Sequence, residues 1–392
     1  MAALSLPPPG PSNVTVVVFD GNQMHDWISI FSGQTLSDGR GISVVQCSWN
    51  DISVSLYPSG CLCTIAPIRE SGGKKKPETV TVKPDFLVIR NQPRGPTPAT
   101  DNRNALYALV AAGIPAVNSL QSCMLDLERA SMVGEMLRLQ RLAPSPAHFP
   151  VIPISFYSHC MRMPMYDSGF PAILKVSHAH AGMGKVKIAS SEGIHDCATV
   201  LALHGDYASL EPYIAAVHGL RVQKIGPHYR VYKKVFTGSG WKSQFGGADL
   251  QVVPLTDEFK RWADLAALSH GGSDMLAVDA VVDCDGNKFI IEINGTAIGI
   301  QQQFWEEDSL HVASLALRRM NELLVPLHGS AGASQGSASH CGADQVTELE
   351  EEIRQLRARV QQLQAAAGAA QSAAAAPTPS SGQGFLASLF NK

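Results

Sequence analysis

The chain has 392 residues, with 31 Lys and Arg against 34 Asp and Glu for a formal charge of −3; at ~150 residues per domain this length suggests two or three domains. Hydrophobic residues make up 45% and charged residues 17%, which excludes disorder throughout and supports a sizeable core. The near-balanced charge argues against a protein that coats nucleic acid, and no apolar run approaches the roughly 18 residues of a bilayer span. The start, MAALSLPPPG, lacks the basic n-region and unbroken apolar h-region of a cleaved signal. Cys61 and Cys63 form a lone C-x-C with no second pair at zinc spacing, so reduced thiols in a cytosolic protein are expected.

Residues 1–13 are Pro-rich and read as loose. Val14–Phe19 (VTVVVF) is a short β-branched run of the kind buried in a parallel sheet, and Asp85–Arg90 (DFLVIR) is a second. A helix over Asn104–Ala112 should end at Gly113, with Ile114–Asn118 resuming as a strand. This alternation makes residues 14–120 an open α/β domain. No G-x-G-x-x-G follows the first strand, so a dinucleotide site is not supported. Ser71–Pro77 (SGGKKKP) reads as a solvated loop, with a basic binding patch as the alternative.

Residues 121–142 read as one helix, with Met124, Leu127, Met132, Met136 and Leu139 near helix spacing, and a second, α+β domain runs over 121–327. Residues 328–345 are a Gly/Ser/Ala-rich linker. Within 346–364, Leu349, Ile353, Leu356, Val360 and Leu363 follow a heptad seam with Ile and Val at a and Leu at d, the choice that favours a parallel two-stranded coil. A single amphipathic helix fits the same spacing. Residues 365–392 read as a disordered tail, although its last nine, GFLASLFNK, place Phe385, Leu386, Leu389 and Phe390 on one helical face.

The most informative stretch is PAILKV, with Lys175 inside an apolar strand, followed by a loop carrying Gly182 and Gly184 and then Lys185 in another strand. A buried ammonium is costly unless an anion meets it, and glycines let backbone N–H groups approach an anion. Lysine, glycine loop, lysine on a hairpin makes a phosphate cradle. It is not a Walker A loop, because Ala179 and Val186 stand where Gly and Ser or Thr are needed. Taken alone, a lysine snorkelling at a strand edge fits equally well.

A second set lies in LAVDAVV and KFIIEIN, which flank Asp285-Gly286, a two-residue hairpin signal. With those two residues as the turn, Asp279 and Glu292 oppose each other across the ladder, where like charges repel. A divalent cation between them resolves the conflict and Asn294 adds an oxygen; such a hard set suits Mg²⁺, with Ca²⁺ or Mn²⁺ as alternatives. A protonated carboxylate or a Lys or Arg partner would resolve it too. Glu211, Tyr213 and Ile214 in LEPYI offer a carboxylate for a purine amine and an apolar surface for the ring, and Arg221 and Lys224 in LRVQKI offer charge for phosphates. Thr237–Ser243 (TGSGWKS) reads as a loop over the site.

In this order these elements resemble the ATP-grasp fold. The stretches KPDFLVIR, AGIPAVNS, HAHAGMGKVKI, EPYI, LRVQKIG and FIIEI are similar to the central domain of the synapsins, over about residues 14–325. The resemblance implies a pre-ATP-grasp domain before an ATP-grasp domain, binding of ATP with a divalent cation, self-association, and peripheral attachment to the cytoplasmic face of synaptic or secretory vesicles, with no nucleic acid and no transmembrane segment. By position it implies that Lys175, Lys185 and Glu292 contact ATP or its metal and that Asp279 replaces a metal-binding glutamate. Arg129 falls where the family has its first ATP-contacting lysine, Gly219 where it has an Asp, and Asn294 where it has an apolar residue. Asn294 favours the alternative of an active carboxylate–amine ligase that forms an acylphosphate.

Overall fold

The computed structural model describes residues 13–21, 25–66, 79–95, 97–178, 183–204, 206–236 and 248–325. β1 (Val14–Phe19) pairs in parallel with β2 (Ile42–Cys47) on one side and β6 (Phe86–Ile89) on the other. Val16 and Val18 pack with Trp27 and Phe31 of α1 (Trp27–Phe31), whereas Val17 and Phe19 pack with Leu106 and Leu109 of α2 (Arg103–Ala111). Burial on both faces is why this strand shows no polar alternation. The helix stops before Gly113, whose φ of 68° is free of a Cβ penalty. β3 (Ile52–Tyr57), β4 (Gly60–Ile65) and β5 (Val80–Val82) form a separate antiparallel sheet that lays Cys61, Cys63 and Ile65 on the Val17 face.

Two expectations change here. Residues 114–118 are not a strand: they make a single parallel bridge, Ala116 to Leu87. Pro115 has no N–H to donate, and Asn118 turns to φ 47°, where its side chain bonds the backbone of Asp274 and Met275. The helix expected over 121–142 is two, α3 (Leu120–Asp126) and α4 (Arg129–Leu142). Glu128 between them is extended, and its carboxylate receives Arg94 and Arg103 at 2.7 and 2.8 Å.

A small antiparallel sheet, in the order β7-β10-β8-β9, follows from β7 (Ser155–Phe156), β8 (Ala172–Val176), β9 (Lys185–Ile188) and β10 (Ala208–Pro212), covered by α5 (Ser191–His204). A larger one, β13-β12-β11-β14-β15, comprises β11 (His218–Ile225), β12 (His228–Phe236), β13 (Ala248–Val253), β14 (Met275–Val282) and β15 (Lys288–Asn294). Met136 and Leu139 of α4 and Phe259 and Trp262 of α6 (Asp257–Ala266) bury one of its faces. Val312, Leu315 and Met320 of α7 (Trp305–Leu324) join Ile225, Met275 and Ala277 to the Val16 face of the first sheet. The described residues fall in one compact unit, 1–326. The expected linker, coiled coil and tail (328–392), the loops at 71–77 and 237–243, and Gly182 lie outside the described residues.

Candidate nucleotide site

β8 and β9 form the expected hairpin, with Lys175 directly opposite Lys185 and the Val176 N–H donating to Gly184 O at 2.8 Å. Gly184 has φ 68°, which closes the hairpin without a Cβ conflict. Lys175 is 4% exposed and ion-paired with Glu211 of the neighbouring β10, while Arg129 Nη2 donates to the same carboxylate at 3.2 Å. Arg129 reaches it because the break at Glu128 starts a new helix there. Two cations thus share one buried anion. Burial pulls the Lys175 ammonium down to about 8, with Glu211 opposing and Arg129 and Lys185 adding to the fall. Such a cluster gains from an added anion. Glu211, read from the sequence as a partner for a purine amine, is instead the counter-ion of Lys175 and Arg129.

Asp279 does lie opposite Glu292, but not through the expected turn. The ladder closes with Val282 opposite Lys288, leaving a five-residue loop in which Asp283 accepts from the backbone of Asp285 and Asn287. A bulge between Asp279 and Ala280 then shifts the register by one residue and restores the carboxylate pair. Because of the bulge, Ile290 and Ile293 both face the core, while Glu292 and Asn294 both face the cavity. Arg221 Nη1 donates to both oxygens of Asp279 at 3.0 and 2.9 Å, and Asn294 Nδ2 donates to Oδ2 at 2.9 Å. Burial raises the Asp279 carboxyl, Arg221 opposes the rise and Glu292 adds to it.

Lys224 is a correction. It lies three residues from Arg221 on β11, an odd offset that puts the two on opposite faces. Arg221 lines the cavity, whereas Lys224 Nζ bonds Asp264 of α6 at 2.8 Å and stacks over Tyr229. It faces away from the cavity that Arg221 lines. Tyr213 and Ile214 line the cavity, with Lys187 Nζ 3.5 Å from the Tyr213 ring centroid. Two cations passed over in the sequence, Lys187 and Lys234, line it as well. Lys187 follows Lys185 at the two-residue spacing that puts both on one face, a signal that was legible. Lys234 faces Gly219 across the ladder, where a Cβ would come within 3.3 Å of Lys234 Cβ. Burial lowers the Lys234 ammonium and Asp279 raises it.

The cavity has a volume of about 1390 Å³, above the ~300–1,000 Å³ of common ligand pockets. Seven Lys or Arg side chains line it against four Asp or Glu, a net positive charge suited to a polyanion. One half is the lysine-rich side just described. The other lies at the carboxyl ends of β1, β2 and β6, with Asp20, Ser48 and Asn91, where open α/β sheets place ligands. Among the described residues no group of three or more His, Cys, Asp or Glu could hold a metal alone. Two carboxylates and an amide fit a cation that takes its other oxygens from phosphates, as Mg²⁺ does.

Comparison with known proteins agrees with this geometry. The synapsin pre-ATP-grasp domain model matches residues 11–116 and the synapsin ATP-binding domain model matches residues 118–322. The chain is 28% identical over 323 residues to Synapsin of Drosophila melanogaster, covering 81% of this chain and 31% of that protein, so it spans less than a third of its relative's length. Among solved structures it resembles D-alanyl-alanine synthetase A of Vibrio cholerae (12% identity, TM-score 0.52, 80% of this chain and 99% of that one). It also resembles a RimK-domain ATP-grasp protein of Sphaerobacter thermophilus (14%, TM-score 0.51, 78% and 99%). At these identities the likeness establishes the ATP-grasp fold. With both domain models matched in order along residues 11–322, the chain belongs to the synapsin family.

Proposed function

We propose that the chain is a synapsin-like, ATP-binding regulatory protein that binds ATP with a divalent cation, Mg²⁺ before Ca²⁺ or Mn²⁺, self-associates, and attaches peripherally to the cytoplasmic face of synaptic or secretory vesicles to regulate tethering and neurotransmitter release. The observation that carries the nucleotide part is that the buried Lys175–Glu211 ion pair, backed by Arg129 on the same carboxylate, lines one cavity with Asp279 and Glu292. In this reading Lys175, Lys185 and Arg129 hold phosphate oxygens, and Tyr213 and Ile214 pack on the base. The bound cation neutralises the phosphates and both carboxylates, which frees Arg221 from Asp279 to turn to the nucleotide. The vesicle part is supported by family membership, and no helix among the described residues is long and apolar enough to cross a membrane. Flotation with purified synaptic vesicles tests it. The protein should rise with the vesicles and return to the dense fraction when they are omitted; protein that stays dense in both gradients contradicts attachment.

A second reading is an active ligase, in which a carboxylate oxygen attacks the γ-phosphorus, ADP leaves, and an amine displaces phosphate from the acylphosphate. The half-cavity at the carboxyl ends of β1, β2 and β6 and the position of Asn294 favour it. ADP release with a panel of carboxylates and amines, above the rate with ATP alone, would establish it.

A further inference from the structure

Arg94 follows β6 in the pre-ATP-grasp domain, yet its side chain ends at the base of the phosphate hairpin in the other domain. It is 9% exposed. Nη1 donates to Glu128 Oε1 at 2.7 Å and to Leu127 O at 3.3 Å, and Nη2 donates to Ser177 Oγ at 2.9 Å. Ser177 lies two residues after Lys175 and has φ 53°, the left-handed region that is unfavourable for a residue with a Cβ. Its N–H donates to Tyr207 O at 2.8 Å. The Tyr207 hydroxyl accepts from Arg129 N at 3.1 Å and donates to Glu128 Oε2 at 3.4 Å. The bonds close a ring from Arg94 through Ser177, Tyr207 and the Glu128–Arg129 step back to Arg94. Two cations adjoin it: Arg129 is a member, and Lys175 lies on β8 two residues before Ser177, which follows the strand's end.

We propose that Arg94 is a positioning residue for the ATP phosphates. It acts through Ser177 and Glu128, fixing the chain direction as it leaves β8 and the point where α4 begins, so that the first domain sets the geometry of the cradle in the second. A guanidinium suits this task because its fork addresses two partners in one plane, which an ammonium does not. The inference rests on the ATP reading of the cavity.

The experiment compares Mg²⁺-ATP binding by calorimetry with adenosine binding by ligand-observed NMR, because adenosine carries no phosphate for the cradle. Arg94→Met should weaken Mg²⁺-ATP about tenfold, in keeping with a lost charged hydrogen bond, and leave adenosine unchanged. Arg94→Lys should recover only part of the loss. Adding Ser177→Gly to Arg94→Met should restore much of it, since glycine holds a positive φ without an anchor. Should Arg94→Met not fold, Ser177→Ala, which removes the acceptor and keeps the Cβ, should show the same selective loss. Equal weakening of ATP and adenosine, or no recovery with Ser177→Gly, overturns the assignment. A wild type that binds adenosine but gains nothing from the phosphates overturns the ATP reading itself, an outcome distinct from any difference among variants.

Discussion

Lys175 should make ATP binding take up a proton. In the free protein, burial holds its ammonium at about 8 instead of 10.5. The lowered value means the charged form costs stability below pH 8, a cost relieved as pH rises from there toward 10.5. Bound phosphates add anionic charge beside an ammonium that shares its one carboxylate with Arg129, so they should return the group toward its ordinary range. At pH 8 about half of the free molecules lack the proton, and each ATP should bring ~0.5 proton with it; at pH 7 the uptake should fall to ~0.1. Above pH 8 affinity should decline by up to ~tenfold per pH unit. Calorimetry in two buffers of unlike ionisation enthalpy measures the uptake. Titration of the nucleotide itself is removed by repeating the experiment on Lys175→Met, which should also weaken ATP by ~1.5–3 kcal/mol while remaining folded. Proton uptake identical in wild type and Lys175→Met at pH 8 would refute the assignment of Lys175 to the phosphates.

Lys224→Met should leave ATP affinity within about twofold and cost only ~0.5–1 kcal/mol of stability, because its partner Asp264 is 38% exposed; an affinity loss as large as that of Lys175→Met would return Lys224 to the cavity. Gly295→Ala should lower the melting temperature, since its Cβ would stand 2.2 Å from Asp126 Oδ2 on a buried carboxylate; a cost of ~1–3 kcal/mol is expected from such a clash, and an unchanged melting curve would show that Asp126 moves aside. If the chain self-associates as proposed and the 349–363 heptad forms the expected coil, deleting residues 346–392 should weaken self-association while keeping ATP binding, because a coil of barely more than two heptads would act by raising effective concentration. Light scattering with the same mass and concentration dependence for both lengths would reduce the heptad to a surface helix.

The parts of the fold legible in the sequence were those with an unmixed local signal. Val14–Phe19 and Phe86–Ile89 are apolar on both faces, and the Lys175–Lys185 hairpin is marked by glycine. β2 was passed over because most of its residues are only half buried and polar ones are interspersed, and β3 because its outward residues are exposed. The break at Glu128 was invisible because its cause is tertiary: two arginines from the first domain hold the carboxylate. At the site, strand alternation alone separates Arg221 from Lys224. The Asp285-Gly286 turn signal gives the Asp279–Glu292 pairing, but the protein reaches that pairing through a longer loop and a bulge that composition does not show. The pairing of Glu211 with both Lys175 and Arg129 joins three elements and had no sequence signal at all.

In the proposed function this cavity binds ATP through a divalent cation held at Asp279 and Glu292. Calorimetric titration of the full chain with ATP, first in Mg²⁺ and then in excess chelator, tests it most directly. Removing the cation leaves two carboxylates facing a triphosphate, so affinity should fall by at least about tenfold, more than 1.4 kcal/mol. Asp279→Asn should shrink the difference between the two titrations. Equal affinity with and without chelator would contradict the account.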